Sequence, residues 1–224
     1  MPIKNEEKVM NIRAVIFDFD GTLADTRKAI VTAKQATMKN AGLEVKDEET
    51  CASTIGLTAK AGFLKLYPGI REEILEDLVA EYRRRFDEQI KVMPPERFDG
   101  VDEVLAKLKE RNIIITIATA RNRKSLLEFL DGWGMREDFQ YILCGEDTER
   151  LKPYPDPVLK TLEELSLQPE QAIVVGDMPV DVMMGKSAGT FACGVTYGNS
   201  DRESLLAAGA DFVMDSIRQL PDLL

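Results

Sequence analysis

Hydrophobic and polar positions in this chain follow two regimes, and the change from one to the other marks its organisation. The apolar run Ala14-Val15-Ile16-Phe17 leads straight into Asp18-Phe19-Asp20-Gly21-Thr22-Leu23. Four apolar residues without a polar break predict a strand buried on both faces, as in a parallel sheet covered by helices on each side. Residues two apart in extended chain share a face, so Asp18 and Asp20 are expected to aim at one point beyond the strand's carboxyl end. A first helix is predicted from Asp25 or Thr26 to about Ala41, stopped at Gly42. From there to about Met93 no apolar run suits a buried parallel strand. Instead Ile74, Leu75, Leu78, Val79, Tyr82 and Phe86 recur on one helical stripe. Residues 28–94 therefore read as a helical insertion, with hinges at Ala24–Arg27 and Pro94–Gly100. Arg83-Arg84-Arg85 within it is expected to be a solvated flank.

From Asp99 the pattern becomes a regular alternation of helix and strand. Asp99 is expected to cap a helix reaching Arg111, followed by a buried strand over residues 113–118. Asn122 starts a helix to about Gly132, and a strand follows over 139–143. Asp156-Pro157 is expected to place a cap and a first-turn proline before Val158–Leu165. Strands over 172–175, 191–195 and 211–214 alternate with helices over about 180–188 and up to Ala208, the latter opened by a Ser200–Glu203 capping box. Ile217–Leu220 reads as a closing turn. Such alternation predicts an α/β fold with a doubly wound, mostly parallel sheet. Residues 1–27 and 95–224 would form the core domain, and 28–94 an inserted α-helical domain.

Composition narrows the chemistry. The 224 residues are 44% hydrophobic and 30% charged, an ordinary globular balance, and the net charge of −10 argues against a nucleic-acid or anionic-membrane partner. There is no histidine, which removes Ser-His-Asp and Cys-His catalysis, His-based zinc sites and imidazole acid–base chemistry. Any general acid or base must be a carboxylate, Lys, Tyr or Cys. Cys51, Cys144 and Cys193 form no C-x-x-C pair and fit small buried residues in a reducing compartment. Met1 to Met10 carry no apolar stretch of a secretory signal, and no run approaches the roughly 20 residues of a membrane span, so a cytoplasmic location is expected.

Chemistry-bearing residues gather at strand ends, where open α/β sheets bind ligands. Paired carboxylates such as Asp18 and Asp20 repel unless a cation or a shared proton relieves them. Mg²⁺ suits such a pair, with water and phosphate oxygens completing its coordination; a solvated Asp-Gly turn is the plainer reading. Thr119-Ala120-Arg121 offers a hydroxyl and backbone N–H groups at a helix start, fitted to an anion or only to helix capping. Lys152 lies in Lys152-Pro153-Tyr154-Pro155-Asp156-Pro157, where prolines stiffen the loop around one cation. Asp177 and Asp181, in Gly176-Asp177-Met178-Pro179-Val180-Asp181, add two carboxylates at a strand end and first helical turn. Gly185-Lys186-Ser187 lacks the upstream glycine of a P-loop, and Gly132-x-Gly134 lacks the third glycine of a dinucleotide fingerprint.

In that order, D-x-D-G-T, the strand-ending Thr, K-P-x-P-x-P and G-D-x-x-x-D resemble the four motifs of the haloacid dehalogenase superfamily. The insertion after the first motif is similar to the small cap of its phosphoglycolate-phosphatase-like branch. The resemblance covers nearly the whole chain from about Ile12. It implies a Rossmann-like core, with Asp18 as nucleophile forming an aspartyl-phosphate and Asp20 as the acid and then the base. It implies Mg²⁺ held by the Asp18 side chain, the Asp20 backbone carbonyl and Asp177. Thr119 and the Ala120 amide would bind phosphoryl oxygens, Lys152 would neutralise Asp18, and Asp181 would orient Lys152 or a water on the metal without touching the metal.

Departures choose among branches. Metal-free dehalogenases of the superfamily lack the second aspartate, so Asp20 argues against them. The sugar-phosphate mutases carry a histidine in the hinge, where this chain has Ile30. Phosphonatases use a cap lysine with a histidine; Lys60 and Lys65 lie in the Gly56–Lys65 segment expected to face the site, but no histidine does. Lys60 is expected either to meet a second anionic substrate group or to be solvated. The expected function is a Mg²⁺-dependent phosphatase of a small phosphorylated metabolite, phosphoglycolate first, with a cap that closes to exclude water. A pyrophosphatase or sugar-phosphate mutase of the same superfamily is the alternative, and a non-catalytic binding or regulatory protein on this fold is the alternative of another class. Monomer and homodimer are both left open.

Overall fold

The computed structural model describes residues 11–224. The expectations for Met1 to Met10, including the start of the core domain and the lack of a secretory signal, lie outside the described residues.

Six strands form one parallel sheet: β1 Ala14–Phe17, β2 Ile114–Ala118, β3 Tyr141–Leu143, β4 Ala172–Gly176, β5 Phe191–Val195 and β6 Phe212–Met214. Their spatial order is β3-β2-β1-β4-β5-β6, with every neighbouring pair parallel. This is the doubly wound order, whose direction of winding reverses at β1 and opens a crevice beyond the strand ends. β1 and β4 are neighbours there, in register from Ala14–Ala172 to Phe17–Val175. Asp18 N continues that ladder by donating to Val175 O at 2.9 Å.

Alternate strand residues feed two apolar layers. Val15, Phe17, Ile115, Ile117, Ile173 and Val175 face one; Ala14, Ile16, Ala118, Ala172 and Val174 face the other. Burial on both sides explains why these strands read as unbroken apolar runs. The first layer is covered by α5 (Val101–Glu110) and α6 (Arg123–Gly132), the second by α7 (Asp156–Leu165) and α8 (Pro179–Ser187). Of two short helices, α9 (Arg202–Ala207) packs on β5 and β6, and α10 (Leu220–Leu223) packs against α5.

Between β1 and α5 the chain makes α1 (Arg27–Asn40), α2 (Glu48–Ala52), α3 (Ala59–Leu66) and α4 (Glu72–Val92). The two connecting segments run together: Asp25 N donates to Glu96 O at 2.8 Å and Phe98 N to Leu23 O at 3.1 Å. Apolar packing passes without a break from the sheet into this helical unit through Phe19, Phe129 and Phe86. Arg84 and Arg85 pair with Glu81 and Glu88 on the outside of α4, as a solvated flank would; Arg83 is exposed as well, at the edge of the cleft described below. No helix among the described residues is long and apolar enough to cross a membrane, and all three cysteines are free and buried.

Helix starts differ from expectation where a side chain finds a stronger partner. Asp99 does not cap α5: its carboxylate binds Arg218 through both oxygens, at 2.6 and 2.8 Å, and Gly100 takes the cap position at φ +89°. Asp201, not Ser200, caps α9 by accepting from Ser204 N, while Ser200 Oγ lies 3.2 Å from Met178 Sδ. Asp156 lies inside the first turn of α7 and accepts from Arg150 Nε at 3.0 Å. Asn122 caps α6 as expected. β3 is shorter than the predicted 139–143 segment, since Phe139 belongs to the apolar core and Gln140 Oε1 caps the Ile115 amide.

Candidate active site

The chain leaves β1 through a tight turn. Phe19 O accepts from the amides of Thr22, Leu23 and Ala24 at 3.3, 3.0 and 3.0 Å. Asp18 and Asp20 therefore do not share one straight strand, as their spacing alone suggests; the turn sends their carboxylates to different partners. Gly21 makes this geometry accessible. Its φ is +87°, and a Cβ there would run into the Asp177 carboxylate and the Asn199 amide.

Asp18 is buried at the β1 end, with Asp177 from the β4 end and Asp181 from the first turn of α8 beside it. One carboxylate oxygen from each lies within 4.8 Å of the others. Lys152 enters from the loop after β3 and places Nζ 2.6 Å from Asp18 Oδ1 and 2.6 Å from Asp181 Oδ1. Asp181 Oδ2 accepts from Met178 N at 3.0 Å, so Asp181 is tied to the lysine on one side and to the backbone on the other. Asp177 accepts from Thr22 Oγ1 at 3.2 Å and from Asn199 N and Nδ2 at 2.8 and 2.7 Å. Gly176 has no room for a side chain, because a Cβ would meet Asp181. That contact explains the glycine before Asp177.

Electrostatics marks the cluster as short of positive charge. Burial lifts the Asp18 pKa well above the usual carboxylate range; Lys152 opposes this, while Asp181 and Asp177 add to it. Burial, then Asp181, pushes Asp177 up to about 7 against its bonds from Asn199. Burial works against the Lys152 charge, but Asp18 and Asp181 outweigh it and hold the lysine pKa above its ordinary value. One ammonium thus faces three buried carboxylates, and Asp18 Oδ2 has no hydrogen-bond partner among the described residues. Hard oxygen donors, crowded and under-neutralised, fit a divalent cation such as Mg²⁺.

Asp20 lies across the turn. Arg121 Nε donates to its Oδ2 at 3.0 Å, Arg121 Nη2 binds Oδ1, and Thr26 Oγ1 donates to Oδ1 at 2.7 Å. Thr119 follows β2; its amide donates to Leu143 O at 3.0 Å and its Oγ1 accepts from Arg121 N at 3.2 Å. Asp20, Thr119 and Ala120 line a cleft of about 500 Å³ whose other wall is the helical unit, including residues 54–60, Tyr82 and Phe86. The Gly56–Lys65 segment faces the site in part, then, through its first five residues. Lys60 lies on the exposed side of that wall and binds Glu72.

Four residues of this site are not singled out by the sequence pattern. Arg121 and Asn199 are found only through partners far along the chain. Thr22 reads as part of a turn, not as a donor to Asp177. Lys34 is buried and lines the cleft, and it carries a visible signal: Ile30, Lys34 and Met38 are four apart on the buried face of α1, so a charge sits on an apolar stripe.

Comparison with known proteins places this geometry in company. A family model described as haloacid dehalogenase-like hydrolase matches residues 15–195. The N-acetylmuramic acid 6-phosphate phosphatase of Pseudomonas aeruginosa is 29% identical over 219 residues, covering 97% of this chain and 96% of the relative. The pyrophosphatase PpaX of Halalkalibacterium halodurans is 30% identical over 216 residues, with 96% of each covered. A solved Bacteroides fragilis structure assigned to the haloacid dehalogenase-like hydrolases superposes with a TM-score of 0.88 at 29% identity, over 93% of this chain and 99% of the other.

Proposed function

The chain belongs to the haloacid dehalogenase-like hydrolases, and on that premise we propose that it is a Mg²⁺-dependent phosphatase working through an aspartyl-phosphate on Asp18. The observation that carries this reading is the placement of Lys152 Nζ 2.6 Å from Asp18 while the second Asp18 oxygen stays without a partner beside Asp177. A buried carboxylate with one oxygen neutralised and the other free is arranged to attack, not merely to be stored.

The Asp18 side chain, the Asp20 backbone carbonyl and Asp177 would hold the cation, with Asp181 fixing Lys152. When bound, Mg²⁺ offsets the repulsion between an anionic nucleophile and an anionic phosphoryl group. Thr119 Oγ1 and the Ala120 amide receive phosphoryl oxygens, and Lys152 balances charge as it builds. Asp18 bonds to phosphorus as the bond to the leaving oxygen breaks, and Asp20 gives that oxygen a proton. In the second step Asp20 takes a proton from water, whose oxygen attacks phosphorus, releasing phosphate and restoring Asp18. Arg121 and Thr26 must loosen their hold on Asp20 for these transfers, so substrate entry and reorganisation at Arg121 go together.

Residues 28–94 act as a cap over the core of residues 11–27 and 95–224, and its closure on the cleft excludes water from the first step. The substrate is a small phosphorylated metabolite, with phosphoglycolate as the first choice. The test is hydrolysis of p-nitrophenyl phosphate with and without Mg²⁺, wild type beside Asp18→Asn. Metal-dependent turnover that the variant loses is expected; no turnover in the wild type would favour a binding role. A panel of phosphoglycolate, pyrophosphate and N-acetylmuramic acid 6-phosphate, compared by kcat/KM, then separates the substrate classes.

A further inference from the structure

Three cationic side chains are buried among the described residues: Lys34, Arg121 and Lys152. Lys152 has Asp18 and Asp181, and Arg121 has Asp20. Lys34 has no carboxylate within 4.0 Å among the described residues. Its Nζ donates to Thr54 Oγ1, whose own proton goes to Cys51 O at 2.7 Å. An ammonium has three donors, so two remain for something else. The side chain is only 3% exposed, yet it lines the same cleft as Asp20, Thr119 and Ala120. A buried charge without a partner is costly and is normally neutralised or paired. Burial pulls the Lys34 pKa down to about 8, which still leaves the amine mostly protonated at neutral pH. The mouth of the cleft is different: Lys60 is matched by Glu72, and Lys124 lies 3.9 Å from Glu128. Arg83, also on that wall, is exposed and solvated; Lys34 is the buried cation of the cleft without a carboxylate partner among the described residues.

We propose that Lys34, oriented by Thr54, binds a second anionic group of the substrate, separate from the phosphoryl group that reacts at Asp18. This rests on the phosphatase reading of the cleft and narrows its substrate class. The substrate is a phosphate ester or anhydride that also carries a carboxylate or a second phosphate, and an uncharged alcohol phosphate leaves Lys34 unpaired. The role expected for Lys60 passes to Lys34, because Lys60 is half exposed and already holds Glu72.

Non-hydrolysable phosphonates test this in the wild-type protein with Mg²⁺ present. Phosphonoacetate supplies a carboxylate as its second group, methylenediphosphonate a second phosphonate, and methylphosphonate neither. Calorimetry should show one of the two-headed ligands binding at least about tenfold tighter than methylphosphonate, the range of a charged hydrogen bond. The better of the two identifies the second group. In Lys34→Met that ratio should collapse towards one. A wild-type ratio near one, or a ratio unchanged in Lys34→Met, overturns the proposal. A second measurement needs no variant: light acetylation of the wild type, read by mass spectrometry, should modify Lys34 less when the preferred two-headed ligand is present than with methylphosphonate. Equal modification in both overturns the proposal as well. Turnover of p-nitrophenyl phosphate reports separately. If it occurs while the ratio stays near one, the second-anion site fails alone; if Lys34 is protected but nothing is hydrolysed, the phosphatase reading fails and the anion site stands.

Discussion

Arg121 grips Asp20 with two of its nitrogens, Nε reaching Oδ2 at 3.0 Å and Nη2 reaching Oδ1. Phe19, Phe86 and Phe129 surround the guanidinium, their ring centres 5.5, 4.7 and 4.9 Å from its carbon. Phe86 comes from α4 in the helical unit, and the other two come from the core. Asp20 is thus linked through one side chain to the packing between the two parts of the molecule.

The pair is nearly dry, with the side chains 5% and 12% exposed. Removing one partner leaves a buried charge uncompensated. Arg121→Met should lower unfolding stability by about 3 kcal/mol. Asp20→Asn added to Arg121→Met should recover much of that loss. Denaturant unfolding of the four proteins of this cycle checks it, and a purely additive result would mean the two groups are not coupled.

Asn199 holds Asp177 through a backbone and a side-chain donor, at 2.8 and 2.7 Å. Partners behind a metal-binding carboxylate fix its orientation, and losing one typically costs tenfold or more in affinity. Asn199→Ala keeps the backbone bond and removes the other. Mg²⁺ affinity, measured by calorimetric titration, should weaken by about tenfold with the fold retained.

Gly21 carries two constraints at once, a φ of +87° and no space for a Cβ between Asp177 and Asn199. Gly21→Ala should therefore cost at least about 1 kcal/mol of stability. It should also displace Asp177 and abolish Mg²⁺-dependent turnover. Thermal unfolding and the p-nitrophenyl phosphate assay check the two effects; full activity in the variant would refute the packing argument.

What can be read before folding and what cannot divides along physical lines. β1, β2 and β4 are buried on both faces, so their apolar runs are continuous and their carboxyl ends, with Asp18, Thr119 and Asp177, are visible at once. The helical insertion is visible because Leu75, Leu78 and Phe86 repeat with the helix period and face the core. Cap residues are less legible, because a carboxylate near a helix start has other options. Asp99 prefers a guanidinium 119 residues away to the adjacent amides. Arg121 is legible only as part of a strand-end loop, since its partner Asp20 is 101 positions earlier. Local pattern reports which face is buried; it does not report which distant charge will be opposite.

Metal removal should act on stability in a pH-dependent way. The Asp177 pKa is about 7 in the folded chain against an ordinary 3.8, and Asp18 is shifted in the same direction. Between those values the folded protein keeps a proton that the unfolded chain gives up. The unfolded state then binds fewer protons, so metal-free stability falls as pH rises, by up to about 1.4 kcal/mol per pH unit for such a group. For Asp177 the loss is complete once pH passes about 7. On the proposed ligand set, bound Mg²⁺ would favour both ionised carboxylates and relieve this loss. The melting-temperature difference between Mg²⁺ and EDTA should be larger at pH 8 than at pH 5, and a reversed order would contradict the proposed ligands.

Lys34 supplies the opposite sign. Its pKa falls from the ordinary 10.5 to about 8 on folding, so between those values the unfolded chain holds a proton that the folded chain has lost. Stability then rises as pH climbs through this window, and below pH 8 the buried ammonium is a net cost. At about 1.4 kcal/mol for each pH unit of that window, the cost comes to about 3 kcal/mol in all. Lys34→Met removes it while keeping an unbranched side chain of similar length on the buried stripe with Ile30 and Met38. The variant should be more stable than wild type by about 2–3 kcal/mol at pH 7, less the bond to Thr54, and the gain should shrink as pH approaches 10.5. Chemical denaturation at pH 7 and pH 10 measures both quantities. A destabilised variant at pH 7 would mean the amine is held by the fold for its own sake. A stabilised one that has also lost its preference for two-headed ligands would show a charge kept buried, against stability, for the anion it meets in the cleft.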